Sequence, residues 1–399
     1  MTKRLAVILG LLMLAVALVA ASAQAGHKTQ KVTNVTFAGW SSGTDEDALD
    51  QQMANKFNAT VGAKEGIHVT WTVINGDYTQ AMTARLAAHN APDVFYVDSS
   101  VIGAWIKQGV IAPLNGLVKQ THFKTKPFYP KLLGAFKKGK TIYGFPKDWS
   151  PLAEETNNAL LNQAGVKAPK TWAQLKSAAK TIQQKTSASH PICLSADWAR
   201  MGAFMYQNKG SITKNLTSKA NAQAVKFYVG LLKSGLAYTP PSGSWCGEQL
   251  GQGHAAIIFE GNWVLPYMKS TFPTVHYGVH PMIKGKTNGN LAFTVSWSIA
   301  KSETNKAAAW KVLSWLVGKQ GEKVWMSKGL ALSPRSDVPS IGGRKPFLAA
   351  APYARGWGFG NPNFSSAYTV MGNDLNAVIS GSKSIPAMLS DVGKALKGK

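Results

Sequence analysis

Apolar and polar residues follow two different periods along the first quarter of the chain. Residues 32–38 and 67–73 alternate at every second position, and residues 94–97 form a short apolar run, as is typical of β-strands. Between the first two segments, apolar residues recur at every fourth position from Leu49 to Phe57, as in an amphipathic α-helix. Strands and helices in this order predict a parallel α/β sheet, with ligand sites at the carboxyl ends of its strands.

Later segments continue this organisation. Residues 219–233 and 305–317 have the apolar stripe of an amphipathic helix, and Thr171 begins a capping box that opens another helix. Residues 139–149 predict a hairpin that passes into an extended crossing segment. Internal repeats and low-complexity tracts are absent from the sequence, so we expect ordinary globular packing.

The apolar run 255–259 predicts a buried strand that ends at a distinctive set of side chains. Glu260, Asn262 and Trp263 follow it within four residues. Carboxylate and amide groups hydrogen-bond hydroxyls in pairs, and the face of an indole packs against the C–H face of a sugar ring. This strand end is therefore a candidate polyol site, although a Trp beside a buried strand is equally typical of core packing.

The N-terminus predicts export. Lys3 and Arg4 precede a short apolar run, and the small residues of a signal-peptidase site follow it. We expect a signal peptide over residues 1–25, with cleavage after Ala25 or Ala23, and no lipid anchor because no Cys lies near the cleavage site. The mature protein is then expected to be periplasmic or extracellular, at the outer face of the cytoplasmic membrane.

The sequence carries a formal net charge of +25, from 44 basic and 19 acidic side chains. Such a balance can indicate binding to nucleic acid, an anionic envelope or an anionic ligand. We interpret it as a solvated lysine-rich surface, because the lysines are spread along the chain rather than clustered. We therefore expect no nucleic-acid partner.

Length and cysteine content favour two lobes and argue against a metal protein. About 370 residues remain after export, which is more than one apolar core usually holds. Cys193 and Cys246 are the only cysteines, and in an exported protein they can form one disulfide, although their spacing does not establish it. Two cysteines do not suggest a zinc site, and we expect neither a metal nor a cofactor.

Two patterns invite an enzymatic interpretation. Gly39–Gly43 matches G-x-S-x-G, but it follows the first strand, where an α/β hydrolase has not yet built its sheet. Asp98, Asp148 and Glu260 could converge on one cleft as glycosidase carboxylates, and this alternative stays open because the same groups also bind hydroxyls without catalysis. We predict a protein without catalytic residues.

A set of short motifs spans nearly the whole mature chain, at Ala91–Asp98, Gly109–Leu114, Tyr143–Pro146, Pro169–Trp172, Gly261–Trp263, residues 293–316 and Leu332–Arg335. In this order, the motifs resemble those of the family 1 extracellular solute-binding proteins. These are the sugar-capturing subunits of ABC importers, the group that contains maltose-binding protein. The sequence departs from the family at Thr156, where many relatives carry Tyr, so that residue's ligand contact is not carried over.

The resemblance implies a two-lobed periplasmic-binding-protein-like fold of type II. In this α/β fold, hinged lobes close on a ligand that lies in the cleft between them. Mapped onto this chain, the resemblance implies a first lobe built from residues 26–147 and 298–333. The second lobe is then built from residues 148–297 and 334–399.

The resemblance also implies ligand contacts from the turns and crossing segments that border the cleft. Competing roles exist for most of them, namely helix capping for the acids, core packing for the tryptophans, and a salt bridge across the hinge for Arg335. The predicted ligand-binding residues are Trp40, Glu46, Asp98, Asp148, Trp149, Glu260, Asn262, Trp263, Trp297 and Arg335.

The expected function is therefore capture of a small-molecule ligand, a mono- or oligosaccharide, by a monomer that delivers it to the membrane permease of an ABC transporter. Alternatives are an anionic solute, such as a uronate oligosaccharide or a glycerol phosphate diester, and a secreted glycosidase. A cationic protein that adheres to an envelope or to nucleic acid is a third. The identity, length and linkage of the sugar are not encoded in these patterns.

Overall fold

The computed structural model describes residues 32–399 except Ser42, Gly343 and Phe359, so the predicted signal peptide lies outside the described residues. The strands are β1 Thr33–Gly39, β2 Ile67–Val73, β3 Val94–Asp98, β4 Lys137–Lys138, β5 Thr141–Ile142, β6 Phe145–Asn157, β7 Ile192–Cys193, β8 Ala237–Tyr238, β9 Ile257–Gly261, β10 Tyr277–Pro281, β11 Asn290–Ile299 and β12 Ala354–Gly356. The helices are α1 Thr44–Phe57 (continued by a π-helical turn at Asn58–Gly62 and a last turn at Ala63–Glu65), α2 Tyr78–Ala87, α3 Ile102–Gln108, α4 Asn115–Gln120, α5 Pro130–Ala135, α6 Asn158–Ala164, α7 Trp172–Lys185, α8 Trp198–Gln207, α9 Lys219–Lys233, α10 Cys246–Gly251, α11 Val264–Thr271, α12 Lys306–Leu316, α13 Lys319–Met326, α14 Lys345–Leu348, α15 Phe364–Ser380 and α16 Ile385–Ala395.

Ten of these strands form one mixed sheet. Its order is β2-β1-β3-β11-β6-β9-β7-β8, with β10 also paired to β6 and β12 to β11. Strand β1 is parallel to β2 and β3, as the sequence predicts, whereas β11 is antiparallel to both β3 and β6. Strands β4 and β5 form a separate hairpin.

Two apolar cores divide the chain into two lobes. The first core contains buried residues between 35 and 145 and between 295 and 338. The second contains buried residues between 152 and 291 and between 357 and 396. Strands β6 and β11 pair with each other where the lobes meet, while β11 continues beside β3 in the first lobe and β6 continues beside β9 in the second. The lobes are thus joined by strands that cross between them.

Side-chain caps fix the starts of several helices. The Thr171 hydroxyl accepts a hydrogen bond from the backbone N–H of Gln174 and begins α7, as the sequence predicts. The side chain of Asn157, the last residue of β6, caps α6 in the same way. Such caps satisfy N–H groups that the first helical turn leaves without partners. The crossing strand therefore passes into a helix with no loop between them.

A disulfide joins Cys193 of β7 to Cys246 at the start of α10, with the two Cα atoms 5.4 Å apart. The bridge lies in a small apolar cluster of the second lobe that includes Leu250 and Met268. Trp245 immediately precedes Cys246, so the bridge also fixes the backbone that carries this indole. The sequence did not establish a disulfide between these two cysteines, and the structure contains one.

Strand β6 carries a buried carboxyl group that has no hydrogen-bond partner in the described part of the chain. Glu154 is fully buried, and neither of its carboxyl oxygens makes a hydrogen bond. In the register of the sheet it lies opposite Phe259 of β9 and His280 of β10. Burial raises the pKa of Glu154 well above its ordinary value, because the charged form loses its hydration.

Replacing Glu154 by Gln is expected to raise the free energy of unfolding at pH 7 by about 1–2 kcal/mol, because a neutral amide costs less to bury than a carboxyl group that must bind a proton. The pKa of Glu154 is higher in the folded than in the unfolded state. Its contribution to stability is therefore fully present below about pH 4.3 and is lost as the pH rises through the folded-state pKa. Urea unfolding from pH 5 to 8 should show falling stability in the wild type and a shallower fall in the variant.

Glu65→Gln is the matched control for this prediction, because the Glu65 side chain is 45% exposed at the surface. We expect it to change the free energy of unfolding by less than about 0.5 kcal/mol. Burial also raises the pKa values of Asp50, Glu155 and Glu322, so part of the pH dependence remains in Glu154→Gln. A less stable Glu154→Gln variant at pH 7 would contradict the prediction.

Candidate functional site

A cavity of about 670 Å³ lies between the two lobes, at the middle of the crossing strands β6 and β11. Its volume is within the ~300–1,000 Å³ that is typical of small-molecule sites. The strands that join the lobes also form its floor. The lining residues are Trp40, Gly43, Glu46, Asp98, Lys147, Asp148, Trp149, Ser150, Arg200, Trp245, Asn262, Trp263, Tyr267, Phe293, Thr294, Val295, Trp325, Leu330 and Ala331.

A β-bulge in β6 shapes the floor on the side of the first lobe. Val295 of β11 pairs with Asp148, and Ser296 pairs with Pro146, which leaves Lys147 as the extra residue. A bulge interrupts the strict alternation of side chains along a strand. Consecutive residues Lys147 and Asp148 therefore both border the cavity.

The ammonium group of Lys147 is held by two carboxylates and two aromatic rings. Its Nζ lies 2.6 Å from Asp148 Oδ2 and 3.5 Å from Glu46 Oε1. The same atom lies 3.8 Å from the ring centroid of Trp325 and 4.5 Å from that of Tyr96, which are cation–π contacts. Burial opposes the charge, but the carboxylates of Asp148 and Glu46 outweigh it and raise the pKa of Lys147. Lys147 is therefore a cation that the protein itself neutralises.

A second ion-paired cation borders the cavity from the second lobe. Arg200 Nη2 donates to Glu260 Oε2 at 2.5 Å, and Nη1 donates to Asp197 Oδ2 at 3.0 Å. Burial raises the pKa of the Glu260 carboxyl group, and the guanidinium of Arg200 opposes that rise. Arg200 lines the cavity, whereas Glu260 lies behind it and acts on the site through its partners.

Trp263 is held in one orientation by its neighbours. Its Nε1 donates to Glu260 Oε2 at 3.1 Å, and the guanidinium carbon of Arg200 lies 5.7 Å from its ring. The indole lies against the backbone of Gly261, where an added Cβ would be 2.1 Å from Cζ3 of Trp263. Only glycine leaves room for the ring, which gives the Gly-x-Trp motif a physical reason. The half-buried indole borders the cavity.

Asn262 brings to the cavity an amide without a partner among the described residues. The residue is 1% exposed, and neither Nδ2 nor Oδ1 makes a hydrogen bond. Its backbone N–H donates to Ser150 Oγ at 2.9 Å, which fixes it against the floor. A buried amide without a partner is costly, so a ligand hydroxyl that bonds to it should contribute strongly to affinity.

Aromatic rings from both lobes border the cavity, and five of its lining residues are tryptophans. Trp40 of the first lobe makes edge contacts with Tyr78 and Tyr96, at centroid distances of 5.1 and 5.0 Å. Trp245 of the second lobe packs edge-to-face on Tyr267 at 4.7 Å. Rings supported in this way can offer flat apolar faces to a ligand.

A smaller space of about 230 Å³, here called the extension, continues the cavity outward between α1 and α11. It is bordered by Thr44 and Asp45 at the start of α1 and by Pro266 and Ser270 of α11. Trp263 borders both the cavity and the extension. A ligand longer than the main cavity can extend in this direction.

The cavity is close to charge balance, unlike the protein as a whole. Its lining contains three acids, Glu46, Asp98 and Asp148, and two cations, Lys147 and Arg200. Among the described residues, no three His, Cys, Asp or Glu side chains are grouped to hold a metal ion. The arrangement can bind hydroxyl groups and ring faces, and it offers no excess of positive charge to an anion.

Seven of the ten predicted site residues border the cavity, namely Trp40, Glu46, Asp98, Asp148, Trp149, Asn262 and Trp263. Glu260 does not border the cavity, but it accepts hydrogen bonds from Arg200 and Trp263, which do. Trp297 lies in the first core, with its ring centroid 4.4 Å from that of Tyr96, because its position on β11 turns it towards that core. Arg335 is also outside the cavity, because it is buried and donates to the carboxylate of Asp337, within its own segment rather than across the hinge.

Sequence reasoning missed several polar or aromatic residues of the cavity, among them Lys147, Arg200 and Trp325. Lys147 could have been found, because it precedes Asp148 in the predicted crossing segment. Arg200 and Trp325 come from α8 and α13, and no motif distinguishes them in the sequence. Only the fold brings them to the cleft.

Two α/β lobes joined by crossing strands, with polar and aromatic groups between them, define a hinged binding protein. A family profile described as bacterial extracellular solute-binding protein matches residues 40–323. The chain belongs to this family, which confirms the resemblance found in the sequence. Within the described part of the chain, no helix has both the length and the apolar character needed to span a membrane.

Relatives in the family are distant in sequence. A putative binding protein of Brucella abortus is 25% identical over 280 residues, and one of Brucella suis matches equally. The match covers 66% of this chain and 66% of each relative, so the chain spans about two thirds of their length.

Solved structures share the fold at low sequence identity. An ABC substrate-binding protein from Listeria monocytogenes, solved with cycloalternan, has a TM-score of 0.81 at 19% identity, over 92% of this chain and 98% of that one. The GacH receptor of Streptomyces glaucescens, solved without ligand and with acarbose, has a TM-score of 0.82 at 21% identity, with the same coverage. UgpB from Mycobacterium tuberculosis, solved with glycerophosphocholine, has a TM-score of 0.76 at 15% identity, again over 92% and 98%. The predicted two-lobed periplasmic-binding-protein fold is therefore confirmed.

Proposed function

We propose that this protein is an exported receptor that binds a sugar, in particular an oligosaccharide, and delivers it to the permease of an ABC transporter. The observation that carries the proposal is the cavity between the lobes, where five tryptophans lie beside carboxylates and the Asn262 amide, which has no partner in the part of the chain that the structure describes. Sugars need both kinds of group, because they have apolar C–H faces and a ring of hydroxyls. Structural neighbours solved with cycloalternan, mannotriose and maltose support the same class of ligand.

Groups from both lobes would contact one ligand. Trp263 and Asn262 would supply ring stacking and an amide from the second lobe, while Glu46 and Asp148 would accept hydroxyl hydrogen bonds from the other side. Hydrogen bonds to carboxylates are stronger than those between neutral groups. A ligand that contacts both walls binds the closed arrangement more tightly than an open one and so drives closure.

The charges of the main cavity favour a neutral sugar unit over an anion. Lys147 and Arg200 each pair with two carboxylates of the protein. An anion would have to displace one of these partners and leave a buried carboxylate without its cation, which is costly. A free glycerol phosphate diester therefore has less support as the ligand.

We propose that the protein performs no chemistry on its ligand. A glycosidase needs one carboxyl group that donates a proton and a second that acts as base or nucleophile. Asp148 accepts from Lys147 and from Trp325, and Glu260 is paired with Arg200. Both carboxylates are thus engaged by cations of the protein, and Glu260 does not border the cavity, so these two groups do not form a catalytic pair beside a ligand.

The limits of the lobes are also a proposal, with residues 26–147 and 298–333 in the first lobe and residues 148–297 and 334–399 in the second. The two apolar cores support these limits, with Val295, Trp297 and Val338 as exceptions that pack in the first core. We propose that a monomer presents surfaces of both lobes to the permease once the cleft is closed.

The test is a thermal-shift screen of the mature chain against neutral malto-, manno- and cello-oligosaccharides, followed by chromatography of the incubated ligand. At a ligand concentration of 100 times Kd, stabilisation should be about 2.7 kcal/mol, which raises Tm by several degrees. A shift with intact ligand supports the receptor. A shift with cleaved ligand would instead identify a glycosidase, and salt-sensitive binding to polyanions alone would identify a cationic adhesion protein.

A further inference from the structure

A wide groove adjoins the extension and runs along α11 and β10. Its volume is about 1,020 Å³. It shares Asp45, Pro266 and Ser270 with the extension, and Leu330 borders the groove, the extension and the main cavity alike. The three spaces therefore adjoin one another in a row that leads outward from the floor of the cleft.

The charge of the groove differs from that of the main cavity. Its lining contains three cations, Lys269, Lys328 and Arg344, and one carboxylate, Asp45. Within the residues that the structure describes, none of these cations has a carboxylate oxygen within 4.0 Å of its charged nitrogens. Both cations of the main cavity are ion-paired, so uncompensated positive charge begins only in the groove.

Arg344 is the most firmly placed of the three cations. Its Nη2 donates to the carbonyl oxygen of Gly329, while its Nε is buried and has no hydrogen-bond partner in the described chain. Burial lowers the pKa of the Arg344 guanidinium, and the nearby phenol of Tyr277 opposes this in part. The half-buried guanidinium borders the groove and has no carboxylate partner among the described residues, so an oxyanion in the groove would bind its terminal Nη groups, whereas the buried Nε is out of reach.

The remaining lining suits a sugar chain better than a free inorganic ion. Phe272 and Tyr277 supply rings, and Ser270 and Ser327 supply hydroxyls. An inorganic anion would use only the cations, whereas a sugar unit that carries an acidic group would use the rings and hydroxyls as well.

We infer that the ligand is an oligosaccharide that carries a carboxylate, sulfate or phosphate group beyond its first units. The main cavity binds the neutral end, and the groove binds the acidic group through Arg344 and Lys328. This inference rests on the proposed function, because it extends the same ligand from the same cleft. It also gives a role to some of the basic residues that produce the positive net charge of the chain and that do not border the main cavity.

The groove is tested first with sodium sulfate, which probes the anion site without any sugar. The full mature chain, the Arg344→Gln/Lys328→Gln variant and the control Lys176→Gln/Lys180→Gln are compared in thermal shift against sodium chloride of equal ionic strength. Lys176 and Lys180 are exposed on α7, away from the groove. We expect sulfate to raise Tm more in the wild type and the control than in the groove variant, because exclusion of sulfate from the protein surface stabilises all three proteins alike. Equal gains in all three proteins would overturn the inference.

The ligand class is then tested with xylo-oligosaccharides that carry a single glucuronic acid unit at one end, and with their methyl esters, in which the carboxylate is replaced by a neutral ester group. We expect the acid to bind at least about tenfold more tightly than the ester at low salt, because ion pairs in a partly exposed groove are screened as salt rises. In the groove variant the ratio should fall to about one, and neutral oligosaccharides should bind as in the wild type.

The possible outcomes separate the two proposals. Equal affinity for acid and ester in the wild type would overturn the acidic ligand while leaving the sugar receptor intact. A sulfate response without binding of any oligosaccharide would overturn both the receptor proposal and the oligosaccharide assigned here, and the groove would then belong to a smaller anion.

Discussion

Replacing Trp263 by Ala is expected to weaken binding of the proposed oligosaccharide ligand by at least about 100-fold, which corresponds to about 2.7 kcal/mol. The indole is the ring whose orientation is fixed from the back by Gly261 and at its nitrogen by Glu260. Its removal takes away the stacking surface and also removes a donor from Glu260, which loosens the ion pair with Arg200. Isothermal titration calorimetry with the best ligand of the thermal-shift screen measures the loss.

Trp172→Ala is the matched control for this prediction. Trp172 is also a half-buried tryptophan of the second lobe, but it lies outside the cavity, stacked on Phe227 at 4.5 Å and bonded to Gln207. We expect this variant to have a lower Tm and a Kd within about twofold of the wild type. Wild-type affinity in Trp263→Ala, or an equal loss in both variants, would show that Trp263 is not a ligand contact.

Replacing both Cys193 and Cys246 by Ser is expected to lower the free energy of unfolding by about 4 kcal/mol. The two residues are separated by 53 positions in the sequence, and closing a loop of that length removes about 4 kcal/mol of chain entropy from the unfolded state at 25 °C. Two hydroxyls left in the apolar cluster with Leu250 and Met268 act in the same direction. Urea unfolding followed by tryptophan fluorescence measures the difference.

A reducing agent supplies the control for the disulfide. Reduced wild-type protein should approach the stability of the double variant, and the variant itself should not respond to the reductant. Unchanged stability in wild-type protein with both thiols verified as reduced would contradict the prediction. Trp245 adjoins the bridge, so the variant should also lose affinity, though by less than Trp263→Ala.

Much of the secondary structure could be predicted from the sequence. Helices and strands are specified by the spacing of apolar residues and by helix caps, and both signals are contained within a few consecutive residues. The predicted helix at residues 219–233 is α9, Lys219–Lys233. The segment predicted as a helix at residues 305–317 is α12, Lys306–Leu316. In both, the apolar stripe is the face that packs against a core.

The cavity was less predictable, because its geometry depends on contacts between distant segments. Lys147 is the extra residue of a bulge that forms where β6 pairs with β11, and Arg200 meets Glu260 across 60 residues of sequence. Trp297 shows the reverse case, since it lies on a crossing strand that lines the cavity but is turned into the core. A single sequence indicates which strand crosses between the lobes, but it does not give the direction of each side chain along it.

The support of Trp263 by Gly261 has a consequence for selectivity. The indole loses its rotational freedom when the protein folds, so a ligand does not have to order it, which would otherwise cost about 0.5–1.5 kcal/mol. A ring fixed in this way is a rigid plane that does not adjust to the sugar. An equatorial hydroxyl lies along the rim of a pyranose and leaves the stacking face flat, whereas an axial hydroxyl on that face holds the two rings apart. The receptor should therefore distinguish sugars by the stereochemistry of one pyranose face more sharply than by the length of the chain.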